Sequence, residues 1–205
     1  MKTCLVIGNG PSLADVPNSF LEQYTTFGSN RIYLKFTPNY YSHLDKHFAG
    51  KNLKEISELK CYSKFIRAEY AGKVPGAFPI RQIGGLGFSY NPLARVYGGY
   101  TITYVNLQLA FWLGFERVGL IGVDHEYKDE GVPLSWHTGR DKSHFSPDYY
   151  AEDEKWLLNN FANTEPFYKF AKEVYEQAGR EIVNLTDGGK LDIFRREDWR
   201  SWDHA

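Results

Sequence analysis

The chain is poor in cysteine and has no long apolar run. Its 205 residues include two cysteines, Cys4 and Cys61, which form neither a disulfide framework nor the spacing of a zinc site. No segment reaches the roughly 18 apolar residues of a membrane span, and the first residues lack the apolar stretch of a signal peptide. These absences predict a reduced, cytoplasmic protein without a transmembrane segment.

The chain also has nearly equal numbers of positively and negatively charged residues. The chain has 24 Lys and Arg residues against 25 Asp and Glu residues, and its formal net charge is −1. No overall field attracts nucleic acid or an anionic membrane, so an anionic ligand has to be held by a local site. We therefore expect small-molecule partners and no nucleic acid.

Strand and helix patterns alternate along the chain, which predicts an α/β fold with a mostly parallel, doubly wound sheet and helices on both faces. Strands are predicted near 2–7, 26–30, 38–45, 61–66, 116–124 and 181–185, and helices near 12–23, 51–59, 101–113 and 164–179. The length fits one domain over residues 1–205. Residues 68–99 and 129–153 are aperiodic and are predicted to be active-site loops or a lid.

A glycine-rich turn, Gly8-Asn9-Gly10-Pro11-Ser12, follows the first predicted strand. Glycine lets the backbone approach a ligand, and Ser12 suits the cap of the next helix. A strand, a tight turn and a helix N-terminus direct N–H groups at one point, which favours a nucleotide phosphate. An ordinary strand-to-helix turn is the alternative, because the segment lacks the third glycine of the dinucleotide motif and the Gly-Lys-Ser/Thr of a P-loop.

Polar side chains follow the ends of three predicted strands, and these ends share one edge of a doubly wound sheet, where ligands bind. They are residues 9–12, Ser29 and Asn30 with Asp45 beyond, and Asp124 with His125. The pattern predicts one site at that edge. Turn chemistry for Ser29 and Asn30, and capping of a turn by Asp124, are the ordinary alternatives.

His125, His137 and His144 are the candidates for proton transfer, because imidazole titrates near neutral pH. A zinc site is less favoured, since no cysteine joins them and no His-x-x-x-His lies on a helix. Tyr149 and Tyr150, with His137, are predicted to contact an acceptor. The aromatic side chains of these loops would also suit a contact in a homo-oligomer.

Several motifs resemble known families. Residues 8–13, Ser29-Asn30, residues 120–124 and Ser143-His144 resemble, in order, the bacterial sialyltransferases of glycosyltransferase family 42. A closer likeness, to the MptE-like domain family of bacterial polysaccharide gene clusters (6-hydroxymethylpterin diphosphokinase MptE-like), extends over 101–110, 122–125, 144–150 and 184–191.

The resemblance implies a Rossmann-like, nucleotide-binding transferase that uses a CMP-activated sugar for surface polysaccharide synthesis. It places the nucleotide on the glycine-rich turn and the residue after the second strand, and His144 as general base beside Asp124 and His125. The full candidate set for the nucleotide is Gly8, Asn9, Gly10, Pro11, Ser12, Ser29, Asn30, Thr101 and Thr103. No cofactor beyond the donor and no metal is expected in this interpretation.

Two other functions remain open. The MptE-like resemblance also implies a Mg²⁺-dependent diphosphokinase that transfers pyrophosphate from ATP, with Asp45 and Asp124 as metal ligands. The third hypothesis is a non-catalytic nucleotide- or glycan-binding module.

Overall fold

The computed structural model describes residues 1–45, 50–128 and 131–202, and its centre is an eight-stranded sheet with the order β12-β11-β8-β1-β2-β3-β4-β5. The strands in chain order are β1 (Thr3–Ile7), β2 (Thr25–Ser29), β3 (Tyr40–His43), β4 (Ser63–Arg67), β5 (Ala77–Ile80), β6 (Gln82–Ile83), β7 (Val96–Tyr97), β8 (Arg117–Ile121), β9 (Trp136–Thr138), β10 (Lys155–Leu157), β11 (Glu181–Asn184) and β12 (Arg195–Arg196). Every neighbouring pair in this sheet is parallel, which confirms the predicted parallel α/β fold.

Helices cover both faces of the sheet. They are α1 (Asn18–Leu21), α2 (Leu53–Glu58), α3 (Ala68–Ala71), α4 (Ile102–Trp112) and α5 (Glu165–Gln177), with short 3₁₀ helices at Pro11–Asp15, Ile32–Leu34, Phe161–Asn163 and Trp199–Ser201. Because side chains alternate along a strand, Cys4 and Val6 pack into one core with α4 and α5, whereas Leu5 and Ile7 pack into a second core with α1 and α2. The sheet is therefore doubly wound, as predicted.

The strand order reverses between β1 and β8. From β1 the chain builds β2 to β5 outward on one side and then returns to place β8, β11 and β12 on the other. The backbones meet at this switch point, since Gly8 N donates to Ile121 O at 2.8 Å and Gly10 N donates to Gly122 O at 2.9 Å. Ligands of open α/β sheets bind outside the carboxyl ends of strands at such a point.

Three predicted elements need correction. The helix expected at 12–23 is a 3₁₀ helix followed by α1, since Pro17 adopts an extended conformation between them. Helix α4 is buried on nearly all sides over residues 103–110, rather than amphipathic, and Trp112 of its predicted apolar face is 36% exposed. The strand near 181–185 is not the last, because β12 follows in the charged tail.

Both predicted loops contain secondary structure. Residues 68–99 hold α3, the two-stranded β6–β7 sheet and β5, which is the edge strand of the main sheet. Pro79 is compatible with an edge strand, because one side of such a strand has no neighbouring strand to which backbone N–H groups must donate. The segment 129–153 contributes β9, which pairs antiparallel with β10, while residues 129 and 130 lie outside the described residues. A lid function for either segment stays a prediction.

Among the helices of the described ranges, none has the length and apolar character needed to cross a membrane.

Candidate functional site

A cleft of about 520 Å³ lies at the switch point, between the carboxyl ends of β1 and β8 and the N-terminal ends of α4 and α5. Its lining includes seven candidate residues: Gly8, Asn9, Gly10, Thr101, Thr103, Asp124 and His125. Residues that are far apart in the sequence therefore meet at the edge where the sequence predicted a site.

The carboxylate of Asp124 fastens the opening turn to the end of β8. Ser12 Oγ donates to Asp124 Oδ2 at 2.8 Å, and Ser12 N donates to Oδ1 at 3.2 Å. Burial raises the pKa of Asp124, and the hydrogen bonds from Ser12 act in the opposite direction. A Cβ on Gly10 would lie 1.9 Å from Asp124 Oδ2, so only glycine fits there.

Three N–H groups of the opening turn, which the sequence suggested would be unpaired, are bonded within the protein. Gly8 N, Gly10 N and Ser12 N are bonded to Ile121, Gly122 and Asp124 respectively, and proline has no N–H at position 11. Ser12 bonds to Asp124 instead of capping a helix, and neither Pro11 nor Ser12 is among the residues that line the cleft. A carboxylate of the protein occupies the position where a phosphate was expected.

A helix N-terminus that faces the cleft belongs to α4, whereas the sequence predicted one directly after the opening turn. Thr101 is its N-cap, and Thr101 Oγ1 accepts a hydrogen bond from Thr103 N at 3.3 Å. The first N–H groups of an α-helix lack intrahelical partners and favour an anion. Thr101 and Thr103 line the cleft at this end of the helix, and their contact with a nucleotide stays a prediction.

The side chain of Asn9 is only partly hydrogen-bonded within the described residues. Its Nδ2 donates to the backbone oxygen of Ser29 at 3.3 Å, while its Oδ1 is buried and has no partner among the residues described. A buried acceptor without a partner is uncommon, so a ligand group that donates a hydrogen bond would be favoured here. Ser29 itself is buried and contributes only this backbone contact.

A second cavity of about 1190 Å³ adjoins the cleft and shares Thr101 and Asn159 with it. Asn30 and Asp45 line this second cavity and are absent from the lining of the cleft itself. Asn30 has a positive φ of 53°, and its backbone oxygen accepts a hydrogen bond from the Tyr41 hydroxyl at 2.7 Å. The predicted site is therefore divided between two neighbouring cavities.

His144 forms a close pair with Asp141. Its Nδ1 contacts Asp141 Oδ2, and the Asp141 side chain is 1% exposed. The ring of His144 stacks on Tyr149 with centroids 3.8 Å apart and planes 11° apart. A carboxylate at Nδ1 fixes the tautomer and orientation of the ring, which leaves Nε2 for proton transfer.

The His144 loop contacts the opening turn, because Phe145 N donates to Asn9 O at 3.1 Å. His144 lines neither of the two cavities. Sequence reasoning missed Asp141, although the spacing Asp141-x-x-His144 was a signal that could have identified it. Tyr149 is 1% exposed, so it supports the ring of His144 and offers no surface to an acceptor.

The other candidate histidines have different surroundings. His125 lines the cleft and packs on Phe161 with centroids 4.6 Å apart; burial lowers its pKa. His137 lies on β9, where it contacts Ser135 Oγ at 3.0 Å and stacks on Trp156, and it lines neither cavity. The structure thus brings His125 to the cleft and leaves His137 in the hairpin.

A buried ion pair, which the sequence did not reveal, holds the loop that contains Tyr150. Arg31 contacts both carboxylate oxygens of Glu154, with Nη1 to Oε2 at 2.8 Å and Nη2 to Oε1 at 3.0 Å. Arg31 also donates to the backbone oxygen of Tyr149. Tyr150 lies against this pair and lines a third cavity together with Arg31.

Carboxylates for a metal are few at this site. Asp45 and Asp124, the proposed magnesium ligands, line different cavities, and both oxygens of Asp124 accept hydrogen bonds from Ser12. Within residues 1–45, 50–128 and 131–202, no three His, Cys, Asp or Glu side chains are grouped to hold a metal ion.

Comparison with protein-family models and with curated proteins found no match. Among solved structures, the chain is similar to the MAf glycosyltransferase from Magnetospirillum magneticum AMB-1, with a TM-score of 0.53 and 13% sequence identity. The match covers 98% of this chain and 34% of that chain, so this chain spans about a third of the neighbour's length. At this identity the likeness extends to the fold, and it agrees with the Rossmann-like layout that the resemblance implied.

Proposed function

We propose that this chain is a glycosyltransferase-like enzyme that binds a nucleotide-activated sugar in the switch-point cleft. The donor we propose is CMP-linked, as in the sialyltransferases that the motifs resemble, and the process is surface polysaccharide synthesis. The observation that carries the proposal is the pairing of His144 with buried Asp141 on a loop bonded to the opening turn. The similarity in fold to a glycosyltransferase supports it.

In this mechanism the chain positions the donor and moves one proton. The donor phosphate would lie at the N-terminal end of α4, where Thr101 and Thr103 line the cleft and the helix dipole favours negative charge. His144 Nε2 would take the proton of the acceptor hydroxyl as its oxygen attacks the sugar carbon, and the bond to the phosphate breaks. Asp141 would stabilise the imidazolium that forms.

The alternative is Mg²⁺-dependent pyrophosphoryl transfer from ATP, and one observation favours it. Asp124 and Glu126 both line the cleft. Mg²⁺ is held in many enzymes by one or two carboxylates together with substrate phosphates. Asp124 would have to exchange its bonds to Ser12 for the metal, so we rank this function second.

A ligand panel separates the hypotheses. Thermal melting of the protein with CMP, CTP, ATP or GTP, each with and without Mg²⁺, shows which nucleotide binds the folded state. Stabilisation by CMP without metal supports the proposed function, and stabilisation by ATP only with Mg²⁺ supports the alternative. No response to any nucleotide would support the third hypothesis, in its form of a non-catalytic glycan-binding module.

Variants of the His144–Asp141 pair test the mechanism. With a CMP-linked sialic acid as donor, we expect His144→Ala to lower the rate of CMP release by about 10²–10⁴-fold with little change in CMP affinity, because a general base acts only in the transition state. Asp141→Asn should shift the pH profile of the rate as well as lower it, whereas His137→Ala serves as the control. Full activity of His144→Ala would rule out this mechanism.

A further inference from the structure

The second cavity has a charged residue that the proposed mechanism does not use. It opens at the carboxyl ends of β2, β3 and β4, and Arg67, the last residue of β4, forms part of its wall. The cavity shares Thr101 and Asn159 with the cleft, so the two are immediate neighbours.

The guanidinium of Arg67 is only partly satisfied. Nη1 donates to the backbone oxygen of Leu44 at 3.2 Å. Nε is buried and has no hydrogen-bond partner within the part of the chain that is described. The Glu69 carboxylate lies 3.2 Å from Nε, but its side chain is 60% exposed while that of Arg67 is 16% exposed. A largely buried cation with a solvated partner retains part of its desolvation cost, which an incoming anion would offset.

The remaining wall is compatible with an anion. Among the described lining residues, Asp45 is the other charged one, and it is exposed, so solvent screens its charge. Asn30 and Gln82 add neutral amide side chains. An arginine fork matches the geometry of a carboxylate or a phosphate, with two parallel hydrogen bonds.

We propose that the second cavity binds an anionic group, a carboxylate or a phosphate carried by a sugar, and that Arg67 is the residue that recognises it. That the carrier is a sugar rests on the proposed function. The recognition of an anion by Arg67 does not depend on it.

The test uses three sugars that differ in charge. Binding of glucuronate, glucose 6-phosphate and neutral glucose to the full chain is measured by calorimetry, with and without CMP. We expect at least one anionic sugar to bind more tightly than glucose and to lose about tenfold or more in affinity in Arg67→Gln, because a charged hydrogen-bonding partner is removed. Arg95→Gln, which removes an equal charge from an exposed position, should bind the anion as the wild type does.

A second variant leaves Arg67 in place. Glu69→Gln removes the exposed carboxylate that competes for the guanidinium, so the anionic sugar should bind several-fold more tightly. Whichever anion responds identifies the group as carboxylate or phosphate. Equal binding of all three sugars, or unchanged anion binding in both Arg67→Gln and Glu69→Gln, would overturn the proposal. Absence of CMP binding with intact Arg67-dependent anion binding would instead count against the proposed function alone.

Discussion

At the scale of single residues, the chemistry of the cleft depends on the Asp124 carboxylate, which is hydrogen-bonded within the protein. Asp124 is 6% exposed and accepts two hydrogen bonds from Ser12, while its backbone oxygen accepts a third from Lys190 N at 2.8 Å. A buried carboxylate is costly unless such bonds compensate it. Asp124 is thereby fixed at the floor of the cleft and sets the position of the opening turn.

The close approach of Gly10 to Asp124 gives a prediction. Gly10→Ala would place a methyl group 1.9 Å from Asp124 Oδ2, and the turn or the carboxylate would have to move. We expect a loss of about 1–3 kcal/mol in the free energy of unfolding, measured with urea, and weaker nucleotide binding. Gly84→Ala is the control, because a Cβ at that position would meet no atom within 4 Å. Equal stability of the two variants would contradict the role given to Asp124.

Sequence reasoning predicted that several candidate residues meet at one edge of the sheet, but it did not find the hydrogen-bonded and ionic pairs that they form. Gly8, Asn9, Asp124 and His125 could be placed together because the carboxyl ends of parallel strands share one edge. The partners of these residues come from elsewhere in the chain. The bond from Ser12 to Asp124 spans 112 positions, and local pattern carries no information about such a contact.

At the scale of elements, strands and helices with a clear sequence pattern were predictable, and the shortest elements, such as the two-residue strand β12, were not. Apolar strands such as β1 and β8, and helices such as α5, have a clear pattern over several residues. Strand β12 is two exposed arginines, and its place at the sheet edge depends on pairing with β11. Tertiary contacts decide such elements, so their own residues do not reveal them.

The loop that holds His144 depends on the Arg31–Glu154 pair, which gives a second prediction. Arg31→Met leaves the Glu154 carboxylate, whose side chain is 5% exposed, without its cation. Loss of one partner of a buried ion pair costs about 3–5 kcal/mol in the free energy of unfolding, measured with urea. The double variant Arg31→Met/Glu154→Gln should recover much of this loss, because no charge is left buried.

An exposed pair supplies the matched control for this loop. Arg140 and Asp148 are 3.5 Å apart, with side chains 59% and 75% exposed. Arg140→Met should change the unfolding free energy by less than about 1 kcal/mol, since exposed ion pairs contribute little. A similar effect of Arg31→Met and Arg140→Met would show that the buried pair does not hold the loop.

At the scale of the whole molecule, the sheet separates two cores, and a group of ion pairs connects the strands toward its β12 edge. Arg117 and Arg195 each contact both Glu181 and Glu197, so four alternating charges connect β8, β11, β12 and the residue after β12. A network of several charges contributes more to stability than an isolated exposed ion pair. The switch point between β1 and β8 lies inside the sheet, with further paired strands on both sides.

Burial of His43 at the end of β3 makes the stability of the fold depend on pH. Burial lowers the pKa of His43 from 6.5 to about 4, and the side chain is 0% exposed at the end of β3. The unfolded chain takes up a proton near the ordinary pKa, whereas the folded chain does not until about pH 4. The stability from neutral His43 is thus present above about pH 6.5 and is lost as the pH falls toward 4.

The third prediction isolates this contribution. Between about pH 7.5 and about pH 5, the wild type should lose about 2 kcal/mol more unfolding free energy than His43→Gln, because the variant has no titrating ring at this position. Urea unfolding of both proteins at each pH measures the difference, and comparing them cancels the titration of all other groups. Parallel pH dependence of the two proteins would show that His43 is not kept neutral by the fold.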